Sequence, residues 1–536
     1  MRRLAAAGHL LTVAGLVGGV PAIVGRAAEP APLAHVAQGR LAGLRSGDVE
    51  AFLGVPYAAP PVGAYRWRAP QPAPDWRGLR AARRFAPSCY QTVLAHGIGP
   101  WTTEYEVHGQ VSENCLYLNV WAPARATHPL PVLVWVPGGA YVAGSGSVPI
   151  YNGARLAARG IVVVTINYRL GVFGFFTDPA LAAEAKRLHE PPGNWGLQDI
   201  LAALRWVQRN VAAFGGDPRA ITLAGQSAGA VAVQELLGAP LAAGLFARAI
   251  AESGLPDSLP TPPLADAEAI GTAFARSRGA HTLAALRALP AGVLATGVAP
   301  MTSPLIMPCV DGELLTAPPR QQLLEGRFAA IPVLLGVNAN DRGGSAAASA
   351  RLAGPAWHAF LHRTFGVMAA RFATLYPAQS GSGRARSLRA VQRDLGLAAL
   401  YAWSVPRLSH AQAPVYAYLW RHAEPGPHSA QWGAFHSSEI PYVFGTLAAA
   451  PRRRFTALDA AISRRMSRYW VDFIAHGDPN GRGLPHWPRL RLDDPRIMRL
   501  GAHPHSSPLL PPARLAAMQA FIAGGGKPGI FDSTRP

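Results

Sequence analysis

The sequence predicts an α/β protein with a mostly parallel central sheet flanked by helices on both faces. Three observations carry this. Short runs that are apolar on both faces recur along the chain, the pattern of strands buried between two layers. Segments with helical apolar spacing alternate with several of them. A glycine-bracketed serine, Gly225-Gln226-Ser227-Ala228-Gly229, stands where one such strand turns into a helix.

Taken in order, the first 27 residues read as a signal peptide. Arg2 and Arg3 begin it, Leu10 to Val24 is mostly apolar, and small residues allow cleavage after Ala22 or Ala27. The apolar run is short for a span and broken by glycines, and no later segment resembles a transmembrane helix. A secreted or periplasmic protein is expected, without stable membrane insertion. Residues 28–536 should form one domain. Leu41 to Trp76 holds short strand-like pieces, and Leu116–Trp121 reads as a strand. Val132–Val136 is a β-branched strand ending at Pro137-Gly138-Gly139, and Ile161–Asn167 is another buried strand. Asp199–Val211 has helical spacing, with Ile200, Leu204 and Val207 on one face. Ile221–Ala224 is a strand and Ala228–Leu237 a helix. Later strands are Val333–Val337 and Val415–Trp420, and Phe455–His476 is a long C-terminal helix. Two stretches, near 255–330 and 345–412, break the pattern and read as insertions over the site described next.

Composition narrows the class. With 49% hydrophobic and 15% charged residues the chain is a folded globular protein, not a disordered one. The formal net charge is +20, and every cation of Lys or Arg type except Lys186 and Lys527 is an arginine. The arginines are scattered, the densest run being Arg452-Arg453-Arg454. No zinc-finger spacing, RNA-binding signature or basic helical repeat accompanies them, which argues against nucleic acid. What remains is either the compositional bias of a GC-rich genome or attraction to an anionic substrate or cell surface. Of the three cysteines, Cys89 and Cys115 flank a loop and can pair in an exported protein. Cys309, in the apolar run Leu305–Val310, is expected to be a buried thiol. No histidines stand at ligand spacing to these cysteines, so no metal is expected.

The chemistry centres on Ser227. A G-x-S-x-G stretch between a strand and a helix holds the serine hydroxyl exposed on a strained turn. Flanking glycines let neighbouring backbone approach closely, and the helix N-terminus favours a developing oxyanion. A serine alone is a weak nucleophile and needs a base. In this chain order an acid and then a histidine should follow. Asp341 lies in the polar turn after Val333–Asn338, and His436 lies in the small-residue loop Gly433-Ala434-Phe435-His436-Ser437-Ser438-Glu439.

At this point the chain resembles the type-B carboxylesterase family, which includes carboxylesterases, cholinesterases and bile-salt-activated lipases. The likeness covers nearly all of the mature chain. It rests on Phe52-Leu53-Gly54-Val55-Pro56-Tyr57-Ala58, on Ser112-Glu113-Asn114-Cys115-Leu116-Tyr117-Leu118-Asn119-Val120, and on Asn167-Tyr168-Arg169-Leu170-Gly171. Gly193-Asn194-Trp195-Gly196-Leu197-Gln198-Asp199, Phe214-Gly215-Gly216-Asp217-Pro218 and His436 through Gly445 match as well. The resemblance implies an α/β-hydrolase fold and an ester hydrolase without metal or organic cofactor, acting on a small-molecule ester; the net charge of +20 puts an anionic ester among the candidates. It implies Ser227 as nucleophile, His436 as base and Asp341 as the acid that orients it. It implies Gly139, Ala140 and Ala228 as oxyanion donors, each worth about 3–4 kcal/mol in the transition state. Arg66 and Glu113 are expected as a buried pair near the Cys loop, Asp217 in a turn, and Glu439 as a support of the histidine loop.

The chain departs from the family at three places. Pro137 replaces the usual His or Tyr, Gln226 the usual Glu, and Asp341-Arg342 the usual Glu-Gly. Asp311, Glu325 and Asp394 are rival acids, the first expected in a structural turn and the others on exposed helix faces. Trp101 and Tyr105 are expected to be packing or rim residues. Two other readings stand beside the esterase: a lipase-like enzyme, and a non-catalytic cholinesterase-like binding protein, which retention of Ser227 and His436 argues against. Oligomeric state is left open.

Overall fold

The computed structural model describes residues 31–255, 258–296, 306–341, 354–411, 413–426 and 428–527. The signal-peptide expectation therefore falls outside the described residues, as does Arg342.

One sheet of 11 strands organises the chain. In chain order these are β1 (Leu44–Ser46), β2 (Val49–Pro56), β3 (Tyr117–Pro123), β4 (Leu130–Val136), β5 (Val162–Ile166) and β6 (Gly216–Gln226). They continue as β7 (Arg248–Glu252), β8 (Val333–Asn338), β9 (Val415–Trp420), β10 (Arg496–Leu500) and β11 (His505–Pro508). Their spatial order is β11-β10-β9-β8-β7-β6-β4-β5-β3-β2-β1. Pairings from β10 across to β5 are parallel, and those at both edges are antiparallel. The predicted mostly parallel sheet is therefore present.

The central strands are buried along nearly their whole length, as their two-faced apolar runs predict. Side chains alternate between two cores. Val132, Val134, Val164, Leu223 and Leu335 face one core. It is covered by α1 (Trp195–Asn210), α2 (Ala228–Gly238) and α3 (Gly381–His410). Leu133, Trp135, Val163, Ala224 and Leu334 face the other, covered by α4 (Ala457–His476) through Ile462, Met466, Trp470 and Phe473. The start of α4 is fixed by a capping box in which Thr456 and Asp459 satisfy each other's backbone N–H groups.

The structure adds elements that periodicity did not reveal. α1 begins four residues before the expected Asp199, after Asn194 in a left-handed conformation. The stretch near 345–412, read as a helical and loop-rich insertion, does contain a helix, α3, but one of 30 residues that runs through Pro406. Beyond α4 come the hairpin β10–β11 and a further helix, Pro512–Ala523, so α4 is not the last helix. Asp394 is a correction: it was expected on an exposed face, but it is fully buried on α3. There it accepts from Tyr376 and pairs with Arg393 and Arg514. Cys89 and Cys115 form the expected disulfide, and Cys309 is a buried free thiol. Arg66 and Glu113 pair next to that disulfide with little exposure. Asp217 caps its own turn by accepting from Arg219 N–H at 2.9 Å, where the register of β6 is irregular.

Candidate active site

The parallel strands end together, and the site residues sit on the loops just beyond their carboxyl ends, where α/β sheets generally place their ligands. Ser227 follows β6 directly, with φ 57° and ψ −127°. A side chain with β-carbon rarely adopts such a backbone, and the surroundings enforce it. A Cβ on Gly225 would lie 2.5 Å from Gly229 backbone, and one on Gly229 would lie 2.1 Å from Val136 O. Strand and helix can pack at this angle only because both positions are glycine. Ser227 N–H donates to Glu252 O at 2.8 Å, which ties the turn to the end of β7.

Asp341 closes the turn after β8. Its Oδ2 accepts from Asn338 N–H at 2.6 Å and from Ser253 Oγ at 3.2 Å, and its Oδ1 lies 2.9 Å from His436 Nδ1. Two neighbours stitch this turn to the histidine loop. Asn338 Nδ2 donates to Phe435 O at 2.7 Å and to Glu439, and Asn340 bonds Ala434 O and Trp432 O. Glu439 thus supports the loop as expected. The rivals are occupied elsewhere: Asp311 accepts from Asn194 and three backbone N–H groups, and Glu325 pairs with Arg327 at the surface.

A carboxylate only accepts, so the neutral imidazole of His436 carries its proton on Nδ1 and presents Nε2 as an acceptor. The Gln226 amide nitrogen lies 3.1 Å from that Nε2. A glutamate there would place a second charge on the ring; glutamine supplies a neutral donor instead. The His436 carbonyl accepts from Trp101 Nε1 at 2.9 Å.

Ser227, His436 and the Gly138–Gly144 loop line one cavity of about 530 Å³. The loop curls on itself. Ala140 and Tyr141 are left-handed (φ 53° and 61°), and a Cβ on Gly139 would lie 2.2 Å from Ala143 O. Among the described residues, neither the Gly139 nor the Ala140 N–H has a backbone partner. Pro137 contributes only its carbonyl, which accepts from Tyr168.

Several supports carried no sequence signal. Gln91 clamps the loop through both the N–H and the carbonyl of Gly144. Tyr141 donates to Glu235 of α2 at 2.7 Å, and burial pushes the Glu235 carboxyl up to about 8. Arg453, from the arginine run, pairs with Glu104 and Glu424 and packs over Tyr105 and Phe435. It thereby binds the segment that carries Trp101 and Tyr105 to the histidine loop, which gives those two residues a part in the cavity wall beyond packing. Two carboxyls beneath the site, Glu252 and Glu439, are driven upward mainly by burial; their mutual repulsion adds to the rise at Glu439.

With this geometry in view, the likenesses to known proteins become decisive. The sequence pattern described as "Carboxylesterase family" matches residues 30–512. The chain belongs to the carboxylesterase family. Fumonisin B1 esterase of Sphingopyxis macrogoltabida is 39% identical over 482 residues, 86% of this chain and 85% of that protein. Cocaine esterase of Homo sapiens is 34% identical over 471 residues, 82% of this chain and 81% of that protein. A solved PNB esterase superposes with a TM-score of 0.76 at 29% identity, covering 91% of this chain and 99% of the other. The α/β-hydrolase fold and the carboxylic-ester hydrolase class expected from the sequence both stand. Among the described residues no basic side chain of Lys or Arg type lines this carboxylesterase's cavity.

Proposed function

We propose that this carboxylesterase is an exported enzyme that hydrolyses esters through a Ser227–His436–Asp341 triad and an acyl-enzyme intermediate. In this reading residues 28–536 form one catalytic domain. Ser227 Oγ attacks the ester carbonyl while His436 Nε2 takes its proton. Gly139, Ala140 and Ala228 N–H groups stabilise the oxyanion. His436 then protonates the departing alcohol, and water, deprotonated by the same ring, releases the acid. Asp341 keeps the ring in the tautomer whose Nε2 is the acceptor.

The observation that carries this is the 2.9 Å contact of His436 Nδ1 with Asp341, in a histidine that lines the same cavity as the strained Ser227. The cavity volume lies in the usual range of small-molecule sites. Export is supported by the signal-like N-terminus and by a disulfide that needs an oxidising compartment. Turnover of p-nitrophenyl butyrate by wild type and Ser227→Ala tests the assignment. The variant should lose on the order of 10⁶ in kcat, by analogy with other serine hydrolases, with an unchanged melting temperature. A folded Ser227→Ala protein that turns over at the wild-type rate overturns it.

A further inference from the structure

A row of buried polar side chains crosses the sheet beneath the proposed triad, and the cycle above gives it no part. Gln226 on β6, Glu252 on β7, Gly336 on β8 and Tyr418 on β9 are register partners in turn, so they share one face, that of α4. The Tyr418 ring lies over Gly336, where a Cβ would come within 2.2 Å of it, and so leans toward Glu252. Trp470 of α4 donates to Glu252 Oε1 at 2.7 Å. Two residues past Gly336, Asn338 donates to Glu439 Oε2 and brings that carboxyl to the same face. Glu252 and Glu439 are both fully buried, and each has one oxygen left over. Among the described residues, Glu252 Oε2, Glu439 Oε1 and the Tyr418 hydroxyl have no hydrogen-bond partner, and no Lys or Arg acts on either carboxyl.

Carboxylates only accept hydrogen bonds, so two ionised ones in a buried row leave oxygens that nothing fills. Two neighbouring carboxyls also resist carrying two charges. Burial pushes the Glu252 carboxyl up to about 8, and Glu252 and Asp341 add repulsion to the burial that drives Glu439 upward. One proton is enough to complete the row. A hydroxyl on either carboxyl donates to the other, the Tyr418 hydroxyl donates to the same pair, and Trp470 and Asn338 hold the far oxygens. The pair is tied to the site as well: Glu252 O accepts from Ser227 N–H at 2.8 Å, and Ser253 donates to Asp341. We propose that Glu252 and Glu439 share a single proton, and that the one negative charge they keep acts on His436, stabilising the imidazolium formed when the ring takes the Ser227 proton. The proposal rests on the triad reading above. Asp341, Tyr418 and Tyr151 face the pair, and His436 stands in the same loop as Glu439. Both tyrosines are held neutral by burial and by these carboxyls, so Asp341 and the pair supply the negative charge near the ring. The chain thus has an amide at Gln226, where its family usually has an acid, and an acid in register with it on the next strand.

The charge can be counted with Glu252→Gln, Glu439→Gln and the double variant. The first readout is the pH of half-maximal kcat/KM on p-nitrophenyl butyrate. Either single substitution should leave it close to wild type, because the remaining carboxylate keeps the charge and gains an amide N–H in place of the shared proton. The double variant should lower it by about one pH unit, since the imidazolium loses a negative neighbour. A purely structural role would not move this value. The second readout is the infrared C=O band of buried carboxylic acid at neutral pH in the Ser227→Ala background, which needs no turnover. Each single variant should lose the band of one acid, and the double variant no more than that. Should the double Gln protein not fold, Glu252→Met with Glu439→Gln makes the same change of charge. A double variant with the wild-type value would mean a neutral pair. A fall in each single variant, or single variants that lose no acid band, would mean that both carboxyls are ionised. Either result overturns the proposal, whereas a failed hydrolase reading would leave the infrared result standing.

Discussion

The proposed catalytic corner and the cavity wall are built in different ways. Ser227, Asp341 and the clamp on His436 hang from the ends of adjacent parallel strands, and their backbone is tied down by glycine contacts and bonds such as Asn338 to Phe435 O. The wall from Gln91 to Val107 is a loop closed by a disulfide and held by side-chain bonds, above all those of Arg453. Chemistry needs atoms fixed to within a fraction of an ångström, which a sheet provides. Selectivity needs a surface that can differ from one relative to the next, which a loop provides.

That division predicts how each part fails. Breaking the corner should stop chemistry. Asp341→Asn allows the wrong histidine tautomer and should cost about 10⁴ in kcat with little change in KM or stability, as measured by steady-state kinetics and thermal melts. Asp394→Asn, in the buried Tyr376–Arg514 cluster, should instead lower the melting temperature while the folded fraction retains its kcat. The reverse pattern would move the acid to Asp394.

Breaking the wall should change binding more than turnover. Arg453→Lys keeps the charge near Glu104 and Glu424 but loses the planar fork that reaches Thr102, Pro100 O and both carboxylates. KM should rise by a few-fold, roughly 3 to 10 if about 1 kcal/mol of wall ordering is lost, with a smaller change in kcat. A fall in kcat with KM unchanged would mean that the wall serves chemistry directly.

The smallest effect concerns pH. Glu235, which anchors the Gly138–Gly144 loop through Tyr141, stays protonated in the folded protein up to about 8. An unfolded glutamate loses its proton near about 4.3, so between these values the native state holds the extra proton. Stability from this group is full below the unfolded value and is lost as pH rises through the folded one. In Glu235→Gln the decline of melting temperature from mildly acid to mildly alkaline pH should be shallower than in wild type. Equal slopes would show that Glu235 does not titrate in that window.

The same division explains what could be read in advance. Strands such as Val132–Val136 and Val415–Trp420 are apolar on both faces, and the Ser227 turn requires glycines at fixed offsets, so both leave a pattern in the sequence. Asp341 could be placed by its distance from Gly336 at the end of a strand. Asp394 could not be read correctly, because a buried acid on a helix looks like an exposed one until its partners, Tyr376 and Arg514, are brought together by the fold. Arg453 was equally silent, because its partners are hundreds of residues away, except Glu424. The edge hairpin β10–β11 is short and half-exposed, too weakly patterned to stand out.

In the proposed cycle Ser227 forms a covalent bond to the substrate's acyl group. A fluorophosphonate probe tests it most directly, because it phosphonylates an activated serine with loss of fluoride and leaves an adduct visible by mass. One adduct per chain is expected, mapped to the peptide holding Gly225 to Gly229, and none in Ser227→Ala. Stoichiometric labelling that persists in Ser227→Ala, or that maps to another residue, would contradict it.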